Sequence, residues 1–461
     1  MNLERIAAKF NTDEFNSLNE EISFAEYLDK VYVNPLIIRT AYQRLHDMIV
    51  SDGVEEIYES KEKLFKYNFF SKHEIPIFGL HKPLSELVKF FKGAAGGYGT
   101  EKRVLLLHGP VGSSKSTILR LIKFALEKYS TTDAGAWYSF KWINLPTGKD
   151  GIYTHCENDC PMHEEPLKLI PKPFRDKVVA ELNEINRENK FGEQFIYDLT
   201  CIGELDPRCR KFMKELLIRE KGDWKAVVDK YIKVVRKVHS EADRCGIATF
   251  QPKDEKNQDA TELTGDIDFG KIGHFGADSD ARAFSFDGEF CCANRGIIEF
   301  IEMLKLAQEF LYDLLGASQE RQIKPKKFSQ IAIDEAIIGH SVHGDTPIPH
   351  EYDGVLDVLP ISELSKLDVS KLRVFSVNVE THEVELSEVK KVFSHKFDGE
   401  WIENHQDGDT ITTTPNHSVY DKNYQTFYPG EDTTSEIATV ELPASIVLNY
   451  PKTERWVKFF E

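Results

Sequence analysis

Residues 104–117 read Val-Leu-Leu-Leu-His-Gly-Pro-Val-Gly-Ser-Ser-Lys-Ser-Thr, and this stretch decides the fold class. Val104 to Leu107 is an apolar run short enough for a fully buried strand. Gly109, Pro110, Val111, Gly112, Ser113 and Ser114 turn the chain, and Lys115, Ser116 and Thr117 open a segment with apolar side chains at helical spacing from Ile118 to Tyr129. This is the Walker A arrangement. Its glycines let backbone amides and a helix N-terminus face phosphates, with Lys115 expected on the β and γ phosphates and Ser116 on magnesium. The expected cofactors are ATP and Mg2+. Ser114 stands where the motif prefers glycine, and a small residue fits there only if its backbone angles allow.

Outward from the loop, WYSFKWINL (residues 137–145) reads as a second strand, and strand, loop, helix, strand in succession predicts a mostly parallel α/β sheet. Upstream, ISFAEYLDKV and LIIRTAYQRLHDMIV carry helical periodicity broken at Asn34-Pro35, which predicts a helical N-terminal region over residues 1–75. Residues 174–245 are highly charged and helical in pattern, either an inserted subdomain or a solvated surface.

A phosphate loop needs carboxylates to hold magnesium and to orient an attacking water. GIIEFIEM (296–303) offers Glu299 and Glu302; QIAIDEAIIGH (330–340) offers Asp334 and Glu335. Spacing alone does not choose between them.

The 461 residues are 41% hydrophobic, enough for large cores and two or three domains. Acidic residues outnumber basic ones 76 to 58, which argues against a nucleic-acid partner held by generic phosphate attraction. No secretory leader and no membrane-spanning run is apparent, and the seven cysteines lack framework spacing, so a cytoplasmic protein with reduced thiols is expected. His155, Cys156, Cys160 and His163 cluster in THCENDCPMH but match no zinc signature well, and Cys201 and Cys209 are too far along the chain to complete one.

The segments FAEYL, AYQRLHDMI, HGPVGSSKST, FQPKDEKNQD, ELTGDI, SDARAFSFDGEF and ANRGIIEFIEMLKL together resemble the PrkA family of bacterial serine protein kinases across residues 20 to 340. The resemblance implies an AAA-type ATPase domain, placed at residues 76–340, that binds ATP and belongs to an enzyme phosphorylating serine on a protein substrate; AAA likeness also raises a homo-oligomer or a protein remodeller. Against related AAA ATPases, GIIEFIEM falls at the Walker B strand and FSQIAIDEAIIGH at a hairpin entering the sensor strand. That favours Glu302, with Glu299 second, for catalysis and magnesium. Ile301 occupies the usual Walker B aspartate position, and no H-R-D or D-F-G kinase motif appears.

After His340 the pattern changes. SVHGDTPI begins at Ser341, β-type segments follow, and GDTITTTPNHSVYD spans residues 408–421. These resemble the two N-terminal splicing blocks of inteins, which implies a mostly β Hint domain over residues 341–461. Splicing starts when the Ser341 hydroxyl attacks the His340 carbonyl carbon, exchanging an amide for an ester. His417 is expected to protonate the leaving nitrogen and Thr414 to orient the scissile peptide, with Asp345 positioning the block. The chain ends at VKFFE without a terminal His-Asn, so a complementary chain carrying the intein's rear half, or a truncated gene, is expected, along with weak ATP binding and little turnover until ligation. An alternative is a regulatory ATP-binding module with a β-rich interaction tail.

Overall fold

The computed structural model describes residues 11–59, 62–73, 76–77, 80–108, 114–146, 158–189, 197–251, 260–275, 277–301, 303, 308–325, 327–341, 347–364, 366–377, 384–389, 402–406, 409–413, 419–420 and 426–427. Its first elements are a helix at Thr12–Leu18 (α1), a two-residue strand at Glu21–Ile22 (β1), and helices at Phe24–Val33 (α2) and Ala41–Ser51 (α3). Both longer helices begin in capping boxes, Ser23 with Glu26 and Thr40 with Gln43, which satisfy otherwise orphaned amides at each N-terminus. Asn34-Pro35 breaks the helices as expected, and a 3-10 turn at Pro35–Ile38 bridges them. A β-hairpin, Val54–Glu59 (β2) with Glu62–Tyr67 (β3), then adds strand where only helix was expected. Helix His81–Ala95 (α4) leads to the strand Leu105–His108 (β4) and the helix Lys115–Thr131 (α5).

The expected parallel sheet is present, but with different membership. Trp137–Trp142 (β5) is not in it: β5 pairs antiparallel with Ile232–Lys237 (β6), which pairs antiparallel with β1. Between β5 and β6 lie helices Lys172–Asn189 (α6), Pro207–Arg219 (α7) and Trp224–Tyr231 (α8). Their charged sequence hides a buried face, Cys209, Phe212, Met213 and Leu216 on α7, so this stretch is a packed insertion rather than a solvated surface. The parallel sheet resumes only at Ile247–Phe250 (β7). After the short pair Asp266–Ile267 (β8) and Phe284–Ser285 (β9), it continues at Ile297–Ile301 (β10). A hairpin, Gln322–Ile323 (β11) with Ile331–Ala332 (β12), precedes Ala336–Ser341 (β13). The sheet order is β4-β13-β10-β7, all parallel.

Alternation along β10 divides the core into two layers, as expected of a parallel sheet covered on both faces. Ile297 packs with Ile247 and Ile338 against Leu119, Ile122 and Leu126 of α5 and Leu87 and Phe91 of α4. Ile298 and Phe300 face the other layer with Phe250 and Phe290. The N-terminal helices enter both cores: Tyr27 and Val31 join one, Leu45 and Ile49 the other. Packing therefore runs across the boundary expected near residue 75.

β4 differs from its sequence reading. It ends the sheet order, and Leu106 is 37% exposed, because among the described residues no strand pairs with its other edge. Beyond Ser341 the pairing changes to antiparallel. Pro347–Tyr352 (β14), Val355–Pro360 (β15), Leu372–Val377 (β16) and Val384–Glu388 (β17) form one sheet in the order β15-β14-β16-β17, and Ile402–Gln406 (β18) pairs with Asp409–Thr413 (β19).

Candidate nucleotide-binding site

In a parallel sheet, ligands bind beyond the carboxyl ends of the strands, where the loops into the helices converge. Here that edge is marked by His108 of β4, Ser341 of β13 and Ile301 of β10: Ser341 is in register with His108, and Ile301 with His340, itself opposite Leu107. The turn between β4 and α5 leaves from this edge. Gly109, Pro110, Val111, Gly112 and Ser113 lie outside the described residues. Ser114, the departure from the glycine motif, caps α5 with φ 57° and ψ 11°, in the left-handed region. A side chain there costs about 1–2 kcal/mol that glycine avoids. Lys115 follows as the first helical residue and is 8% exposed, Ser116 is exposed and Thr117 half-buried.

Glu299 sits on the face of β10 turned to α5, 5% exposed. Its Oε2 lies 2.7 Å from Lys123 Nζ and its Oε1 3.4 Å from His340 Nε2. Lys123, two turns into α5 from Lys115, also donates to Glu241 at 2.7 Å and Thr249 Oγ1 at 2.8 Å. Burial pushes the Glu299 carboxyl up, but His340 and Lys123 outweigh it and hold the group below its usual range. Burial likewise disfavours charge on Lys123, and Glu299 and Glu241 restore it. Glu299 is thus engaged in a strand-to-helix ion pair. Sequence patterning had no means of showing this, since Lys123 reads as one more polar position on an amphipathic helix. Glu302, one residue beyond β10, lies outside the described residues.

Asp334 and Glu335 precede β13 and so lie at the opposite edge of the sheet. Glu335 is six residues before Ser341, roughly 20 Å along a strand. Asp334 is occupied there: Oδ2 accepts from Ala41 N–H at the start of α3, and Oδ1 pairs with Arg321 at 3.1 Å. Glu335 is fully buried, and burial drives its carboxyl well above the usual range. The structure brings Lys115, Ser116 and the C-terminal end of β10 to one edge and leaves Asp334 and Glu335 at the other.

Of the cysteine–histidine group, His155 and Cys156 lie outside the described residues. His163 stands edge-on to Trp137, and its surroundings, burial first, lower its pKa to about 4. Ser341 closes β13, so the His340–Ser341 peptide lies within the ladder to β4; Thr414 and His417 lie outside the described residues. Among the described residues no helix is long and apolar enough to cross a membrane.

The chain is 38% identical over 330 residues to "ATP-dependent protease PrkA" of Bacillus subtilis (strain 168), covering 71% of this chain and 45% of that one. It is 26% identical over 320 residues to "Serine/threonine kinase YeaG" of Escherichia coli (strain K12), covering 69% and 41%. The chain therefore spans less than half the length of these relatives. The solved BchI–BchD magnesium chelatase complex matches with a TM-score of 0.27 at 13% identity, over 58% of this chain and 53% of that one, too distant to carry an argument. The model of the PrkA AAA domain matches residues 22–346, which take in all four strands of the parallel sheet, the loop and α5, and the chain belongs to the PrkA AAA family.

Proposed function

We propose that this chain binds Mg·ATP at the turn between β4 and α5 and forms the nucleotide-binding part of a PrkA-type ATPase. The observation that carries the reading is Ser114. A non-glycine residue held at φ 57° immediately before a helix that opens with a buried lysine is a costly local arrangement, and a helix N-terminus that follows a parallel strand offers its first amides to an anion. The Lys115 ammonium binds the β and γ phosphates, and the Ser116 hydroxyl, exposed at the helix start, suits magnesium. Magnesium, when bound, neutralises phosphate charge. Glu302 is our assignment for the acidic partner, because the Glu299 carboxylate is already taken by Lys123 and His340. The relatives' names, one a protease and one a kinase, point to a protein substrate; serine phosphorylation is the activity the family resemblance implies, with an AAA-type homo-oligomer as its assembly. Measuring ATP binding and phosphate release separately on the full chain tests this. Binding with little turnover is expected, whereas robust turnover abolished by Lys115→Ala would contradict the expectation drawn from Ile301 at the usual Walker B aspartate position.

A second reading concerns Ser341, and the change from parallel to antiparallel pairing after β13 favours it. In this reading the residues after His340 carry the N-terminal splicing blocks of an intein. Ser341 Oγ attacks the His340 carbonyl carbon, the C–N bond breaks, and the freed amine takes a proton from His417, which the proton given up by the Ser341 hydroxyl replaces. Because that peptide sits in the ladder with β4, the end of β13 must leave the sheet before the shift occurs. Hydroxylamine should release a fragment ending at His340, and Ser341→Ala should prevent it; cleavage indifferent to that substitution rejects the reading in favour of a β-rich interaction tail.

A further inference from the structure

Two short motifs far apart in sequence meet inside the insertion. Cys160 and Glu164 come from CPMHE, and Asp206 and Cys209 from DPRC at the start of α7. One ligand atom of each lies within 4.8 Å of the others, and all four residues are buried. We propose that Cys160, Glu164, Asp206 and Cys209 form a structural site for a thiophilic divalent cation, zinc foremost, that ties the loop before α6 to the N-terminus of α7.

Three observations support it. The Cys160-to-carboxylate spacings are those of a coordination shell. Cys160 Sγ lies 3.7 Å from Glu164 Oε2 and 3.8 Å from Asp206 Oδ2. Sulfur and oxygen ligands of one tetrahedral zinc, at about 2.3 and 2.1 Å from the metal, stand about 3.6 Å apart. Each carboxylate is also held by one set of partners that leaves an oxygen toward the cluster. Asp206 Oδ1 accepts the amides of Arg208 and Cys209 at 2.8 and 3.0 Å while Oδ2 faces the sulfur. Glu164 Oε1 binds Lys168 at 2.9 Å while Oε2 turns inward, supported by the Asp206 amide at 2.9 Å. Finally, both sulfurs accept N–H donors, Cys160 from the Glu164 amide at 3.4 Å and Cys209 from the Trp142 indole at 3.3 Å. Such N–H donors stabilise thiolates and orient metal ligands.

Without an ion this grouping is hard to account for. Two thiols and two carboxyls are enclosed together, with one lysine, Lys168, beside them. A divalent cation would turn these four groups into its ligands, releasing the two thiol protons to solvent. The surrounding residues, Trp142, Phe212 and Met162, belong to the buried core, which suits a closed structural site rather than one open to substrate.

The test uses the full chain, dialysed against excess zinc with reductant and then freed of unbound metal. Elemental analysis should find one tightly held zinc per chain. Exchange into cobalt should give a thiolate-to-cobalt charge-transfer band in the near ultraviolet. Cys209→Ser and Asp206→Asn should each reduce retained zinc several-fold and weaken the band. Because a cysteine variant can fail to fold, the wild-type cobalt spectrum decides independently. No retained zinc, a cobalt spectrum without the thiolate band, or a Cys160–Cys209 disulfide in the chain as purified would overturn the proposal, as would zinc undiminished in both folded variants.

Discussion

Ser114 holds a left-handed backbone conformation that a non-glycine residue adopts at a cost. With φ at 57°, replacement by glycine relieves the strain, and Ser114→Gly should raise stability by about 1 kcal/mol with ATP binding retained. Ser114→Val should destabilise by more than that, since a β-branched side chain is least tolerated there; the pair is read by thermal or denaturant unfolding. A second informative residue is His239. It is 1% exposed, stacked on Trp137 with ring centroids 4.6 Å apart, and its Nε2 lies 3.2 Å from the Arg295 carbonyl, which can only accept, so Nε2 carries the proton. Burial, joined by the charge of Arg44, holds its pKa well below the usual 6.5. The unfolded chain thus binds a proton that the folded chain refuses. The stability this imidazole contributes is present above about pH 6.5 and falls by roughly 1.4 kcal/mol per pH unit as the pH drops toward the folded pKa. Unfolding measured from pH 7.5 to 5 should show that loss, and His239→Gln should flatten its slope.

At the scale of elements, β10 and α5 are joined by Glu299 and Lys123, each nearly enclosed, with side-chain exposures of 7% and 10%. Breaking such a pair strands a buried charge, so Lys123→Met should cost about 3–5 kcal/mol, whereas adding Glu299→Gln should recover part of it. A double-mutant cycle by denaturant unfolding measures the coupling; strictly additive losses would mean that the two groups act independently. How well these elements were legible in sequence follows from how local their signals are. The strand, turn and helix around Lys115 could be read because an apolar run, glycines and helical periodicity lie within one window. The capping boxes at Ser23 and Thr40 are equally local. The sheet assignment of Trp137–Trp142 could not be read, because its partner Ile232–Lys237 lies beyond three helices and strand type alone does not reveal pairing direction. The hairpin at Val54–Tyr67 carries weak, charge-rich strand signals that a helical neighbourhood obscured. For the same reason the Cys160–Cys209 cluster was missed: each half is a two-residue motif, and only the fold brings them together.

For the whole molecule, the parallel sheet gathers its loops on one edge, and that arrangement sorts the candidate acids. Asp334 and Glu335 suited the Walker B position as a string of letters, but β13 begins after them, with Ile338 in register with Leu105, so they lie at the edge away from the end of β4. Glu299 lies on β10 and is engaged by α5. The chain covers 45% and 41% of two relatives, so activities named for those proteins are proposals for this one, whereas nucleotide binding needs only the loop and helix it contains. The most direct measurement is calorimetric titration of the full chain with a magnesium complex of a non-hydrolysable ATP analogue, beside a Lys115→Ala variant whose folding is verified by circular dichroism. The account predicts saturable one-site binding to the natural chain, weakened at least tenfold in the variant. No binding, or equal affinity in the two chains, would contradict it.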